Sequence, residues 1–105
     1  MDNFNIIYKI LKVLEAAMDC DEPDLSCISP QMLKISEQKL ERILIMLADE
    51  GYITGVKTVQ PLGSSRRHIG SYSPEITLKG LEYLSDNTFM KKAARLAKGI
   101  ADMVP

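Results

Sequence analysis

Apolar residues recur along this chain in two rhythms, one of about 3.6 residues and one of two. The strongest helical stretch is Ser36–Glu50, where Leu40, Ile43, Leu44 and Leu47 follow the i, i+3, i+4, i+7 spacing of a single helix face. Ser36 can cap its first turn, and Gly51 supplies the left-handed residue that ends it. Tyr52-Ile53-Thr54 then restarts the chain in residues suited to a strand, and the pattern to Gln60 predicts one. A turn-rich tip follows over 61–70, and Ser73–Thr77 brings the chain back, so 52–77 reads as a hairpin.

The flanking segments complete the order. Asp2 or Asn3 caps a helix over 1–18, with Phe4, Ile7, Leu11, Leu14 and Met18 as its stripe and Ile6, Ile10, Val13 and Ala17 widening the face to half the circumference. So wide a face needs cover, from another helix of the chain or from a second copy. Leu25-Ser26-Cys27-Ile28 can supply a short strand beside the hairpin. Ser29-Pro30, a cap followed by proline at the first helical position, opens a short helix over 30–34. Thr77 caps a helix through Leu78, Leu81 and Leu84, and Asp86 or Asn87 starts a last one, Thr88 to about Met103. Lys91, Lys92, Arg95 and Lys98 lie opposite its apolar stripe, which makes the wide face of the first helix its natural mate, within the chain or across a homodimer. The expected fold class is mainly α with a small antiparallel β wing. Residues 1–105 would form one winged helix-turn-helix domain with an added C-terminal helical region over 78–103.

Composition narrows the function. Hydrophobic content of 46% with 26% charged residues is that of an ordinary globular chain. Neither a membrane-spanning run nor a signal peptide is visible, so the expected location is the cytoplasm. Cys20 and Cys27 form neither a disulfide framework nor a zinc site and read as reduced, partly buried thiols. Asp19–Asp24 holds four carboxylates in six residues, but a proline intervenes and the turn glycine of a calcium loop is missing. There is no glycine-rich phosphate loop, no nucleophile–histidine motif and a single histidine, so an enzyme is not expected, nor a cofactor or metal.

Net charge is −1, yet residues 1–50 carry five Lys/Arg against ten Asp/Glu, while 51–105 carry eight against four. From Gly51 to Pro74 there are three cations, Lys57, Arg66 and Arg67, and no acid. Paired arginines on a hairpin tip suit phosphates or a narrow minor groove of double-stranded DNA. On the long helix, Gln38, Arg42, Ile45 and Asp49 point away from the core stripe, flanked by Lys39, Met46 and Glu41. Gln38, Lys39 and Arg42 are the candidate major-groove readers. Glu41 and Asp49 repel phosphates, and Ile45 and Met46 have no evident place on DNA. The same face therefore also reads as solvated, or as a docking surface for a protein.

With those residues in view, the chain resembles the YjcQ-like family of small winged-helix proteins from Gram-positive bacteria and their phages. The resemblance rests on Asn3–Leu14 (NFNIIYKILKVL), on Leu47–Ile53 (LADEGYI) and above all on Ile76–Ala93 (ITLKGLEYLSDNTFMKKA). It implies the winged-helix fold and a phage or prophage origin, and it supplies no catalytic or binding residues. A DNA-binding or transcription-regulatory protein is the leading expectation. A protein-interaction module on the same scaffold is the alternative.

Overall fold

The computed structural model describes residues 2–87, so the predicted last helix from Thr88 and its pairing with the first lie outside the described residues. The element order is α1 (Asn3–Ala17), α2 (Pro30–Leu33), α3 (Glu37–Asp49), β1 (Ile53–Val59), β2 (His68–Ile76) and α4 (Leu78–Asn87). The strands form one antiparallel hairpin, and the whole is an α+β, winged-helix-like arrangement.

Local chemistry fixes most of the boundaries. The Asp2 carboxylate accepts from Asn5 N–H at 2.9 Å, Ser29 Oγ from Met32 N–H at 3.2 Å and Ser36 Oγ from Lys39 N–H at 3.1 Å, so each helix start has its side-chain cap. Lys34, in the left-handed conformation at φ 57°, stops α2 one residue earlier than expected. At the end of α3, Gly51 has φ +83°, its N–H donates to Ala48 C=O, and Tyr52 N–H reaches back to Leu47 C=O at 2.9 Å. This is the six-to-one and five-to-two bonding of a Schellman motif. Two later residues reinforce that end, with Lys79 Nζ donating to Glu50 C=O at 2.8 Å and lying 4.9 Å from the centre of the Tyr52 ring. Thr77 Oγ1 donates to Gly51 C=O and accepts from Gly80 N–H at 3.1 Å, so one hydroxyl joins the end of α3 to the start of α4.

The core gathers Ile6, Ile10, Leu11 and Leu14 of α1, Leu33 of α2, the expected Leu40, Ile43, Leu44 and Leu47 of α3, Ile53 of β1 and Leu84 of α4. The centre of the α1 face is shifted from expectation. Ile6 and Ile10 are fully buried, whereas Phe4 and Met18 are 70% and 62% exposed. On a face this wide the neighbours choose the centre, and α4 and β2 pack against α1.

Two further expectations are corrected. Residues 25–28 form no strand, because the Asp24 carboxylate accepts Ser26 N–H at 2.9 Å and Ile28 N–H turns back to Leu25 C=O at 2.9 Å. That side-chain turn uses the backbone groups a sheet would need. Cys20 and Cys27 are free thiols, but exposed rather than partly buried. The returning arm of the hairpin begins at His68, five residues before the predicted Ser73. The hairpin bends where Gly55, at φ +82°, faces the Ser73–Pro74 backbone, and a Cβ there would fall 1.9 Å from Ser73 O.

Candidate nucleic-acid interface

The long helix and the wing meet along one side of α3. Glu41, Ile45 and Asp49 are spaced by four residues and so share a face. Glu41 Oε1 contacts His68 Nδ1 at 2.9 Å, while its Oε2 accepts from Ile69 N–H at 3.1 Å. Two turns further on, both guanidinium nitrogens Nη1 and Nη2 of Arg67 donate to the two oxygens of Asp49. This fork-to-fork pairing fixes direction as well as charge. Ile45 lies between the two carboxylates and is 7% exposed. The start of β2 is thus clamped to α3 at both ends of one buried isoleucine.

The electrostatics follow the geometry. The Glu41 carboxyl is held below its usual range, first by the Ile69 N–H and then by the hydrogen bond from His68. Asp49 is lowered by the hydrogen bond from Arg67, and Arg67 is raised in return. At the wing tip, Ser64 Oγ donates to Arg66 C=O at 3.0 Å and lies 3.4 Å from His68 Nε2. Ser64, His68 and Glu41 therefore run in the order of a hydrolase relay. The Ser64 hydroxyl, however, donates to Arg66 C=O and accepts from Arg66 N–H, so its proton is committed to the turn backbone, whereas a nucleophile must give its proton to the ring. The arrangement orders the tip.

The candidate readers divide into two groups. Gln38, Arg42 and Lys57 are exposed and Lys39 is half-buried. Among the described residues, none of these four side chains is drawn into a hydrogen bond or ion pair. Arg66 is half-buried, with its backbone N–H and C=O bound to Ser64. Arg67, expected to reach outward, is instead turned back onto Asp49. The residues missed from sequence are Glu41, Asp49, His68 and Ile69. Their signal was two acids eight residues apart on one helix face, Glu41 and Asp49, opposite an acid-free, cationic tip. Among the described residues, no group of three or more His, Cys, Asp or Glu could hold a metal ion, and no helix is long and apolar enough to cross a membrane.

Fold and site together define a small winged-helix-like protein whose wing is bound to its long helix, leaving a polar and cationic strip on that helix. The family described as YjcQ protein matches residues 8–103. Over 105 residues the chain is 30% identical to the uncharacterised protein YjcQ of Bacillus subtilis (strain 168), with 99% of each chain covered. The chain belongs to the YjcQ family. No solved structure matches it.

Proposed function

We propose that the protein binds double-stranded DNA, with the exposed face of α3 in the major groove and the wing on the flanking backbone, as a regulator of transcription in a bacterium or its prophage. The observation that carries this reading is the clamp. Glu41 and Asp49, the two acids that would repel phosphates, are occupied by Arg67, His68 and the Ile69 N–H. What α3 then offers outward includes Gln38 and Arg42, with the half-buried Lys39 and the exposed Glu37 and Met46 beside them, and Lys57 on the adjoining strand. Bidentate contacts from Gln and Arg suit adenine and guanine edges, and the lysines suit phosphates. Arg66 can join them from the tip, while Arg67 acts by holding the wing in place.

The test is fluorescence anisotropy of a random-sequence duplex titrated at several salt concentrations. Binding whose log K falls with log salt by about 0.9 per phosphate contacted is expected. Replacing both Lys39 and Lys57 by alanine should flatten that slope by roughly two contacts. No binding at low salt, or an unchanged slope in the variant, would remove the reading.

A second reading, a protein-docking face, draws on the exposed Met32 and Met46. It no longer has Ile45, which is buried between Glu41 and Asp49. A homodimer through the first helix is supported by the exposed Phe4 and Met18. Sedimentation showing a monomer at tens of micromolar would exclude it.

A further inference from the structure

Between the C-terminal end of α1, the loop at 20–25 and the second half of β2 lies a cleft of about 590 Å³. That is within the range of small-molecule sites, roughly 300–1,000 Å³. Its position follows from the missing strand: residues 25–28 turn away instead of pairing, and the space beside Tyr72–Ile76 stays open. Leu14, Met18, Leu25 and Ile76 give it apolar walls. Tyr72 contributes a ring whose phenol is raised by burial. Among the described residues, the ionisable groups of the lining include Asp21 and Glu75 but no Lys, Arg or His. Among the described residues neither carboxylate has a hydrogen-bonding or cationic partner.

We propose that this cleft binds a small amphipathic organic cation, with its apolar body against Leu14, Met18, Leu25 and Ile76 and its ammonium group between Asp21, Glu75 and the Tyr72 ring. Charge selects the ligand class. An anion would meet two unpaired carboxylates, and a neutral apolar molecule would gain the walls alone. An amine gains the walls, two attractive carboxylates and an aromatic neighbour in Tyr72. The proposal goes beyond DNA binding and does not depend on it. The cleft is formed by the same strand whose first residues are tied to α3, so its occupant rests on the element that carries the wing.

Three probes with one carbon frame test it: 4-phenylbutylamine, 4-phenylbutanol and 4-phenylbutyrate, titrated into the full chain and followed by amide chemical shifts. The amine should bind about tenfold more tightly than the alcohol, as two partly solvated ion contacts and one cation–ring contact allow. It should shift amides of Met18–Leu25 and Tyr72–Ile76, and the butyrate should not bind. Glu75→Gln and Asp21→Asn should each weaken the amine about threefold and leave the alcohol unchanged. Equal affinity for amine and alcohol, shifts confined to other residues, or no response to millimolar amine would each overturn the proposal. None of these outcomes bears on duplex binding, so the two readings fail separately.

Discussion

Replacing Glu41 by alanine removes two bonds made by one carboxylate, that with His68 Nδ1 at 2.9 Å and that from Ile69 N–H at 3.1 Å. Bonds to a charged acceptor contribute about 1.5–3 kcal/mol each when desolvated, and ordinary ones about 1. The Glu41 side chain retains 26% exposure and His68 retains 45%, so solvent screens the histidine contact most. A combined loss of about 1–2 kcal/mol follows, most of it from the Ile69 N–H, which loses its acceptor on α3. In a domain of this size each kcal/mol lowers Tm by roughly 4–8 °C. Thermal unfolding followed by circular dichroism should therefore show a drop of about 4–15 °C for Glu41→Ala. Glu41→Gln, which keeps two heavy atoms in place and one acceptor, should lose less than half as much. Amide exchange adds the spatial test. Protection at Ile69 should fall in Glu41→Ala before protection in the α1 core does. A variant with unchanged Tm and unchanged exchange at Ile69 would refute the idea that Glu41 holds the wing.

Acid should open the same contact. Glu41 and Asp49 are both held below their ordinary values, so their contribution to stability is complete above the usual carboxylate range, near pH 4, and is lost as pH falls through the lowered values. The Tm difference between the parent protein and Glu41→Ala/Asp49→Ala should shrink between about pH 5 and pH 2, and a constant difference would contradict the assignment. Ile45→Ala, at 7% exposure, should cost about 2–4 kcal/mol in urea unfolding, whereas a partner-facing surface position would change stability by about 0.5 kcal/mol at most. Gly55→Ala adds a Cβ 1.9 Å from Ser73 O at φ +82° and should cost about 3 kcal/mol or more by the same measurement.

The capping residues and the α3 stripe were legible because their chemistry is local. Ser29, Ser36 and Thr77 bind N–H groups three residues away, and Leu40, Ile43, Leu44 and Leu47 repeat within one helix. The centre of α1 was not legible. With apolar residues at nine positions, periodicity cannot choose between Phe4–Met18 and Ile6–Ile10, and neighbours distant in sequence decide. The strand expected at 25–28 failed on a two-residue contact, Asp24 to Ser26, that outcompeted sheet pairing. The clamp was hidden for the opposite reason. Its partners are separated by 18 to 28 residues, so Glu41 and Asp49 looked like acids misplaced on a basic surface. In the fold they are the attachment points of the wing.

The Arg67–Asp49 pair also makes that arginine a contested group. Its guanidinium already has a bidentate acceptor, so any external anion must compete with Asp49 for the same donors. Winning that exchange replaces one ion pair by another, gains little net affinity, and leaves an unpaired carboxylate facing the newcomer. An isolated phosphate or a stray acidic side chain would therefore be turned away. Arg67 is thus built to hold the wing and not to recruit small anions.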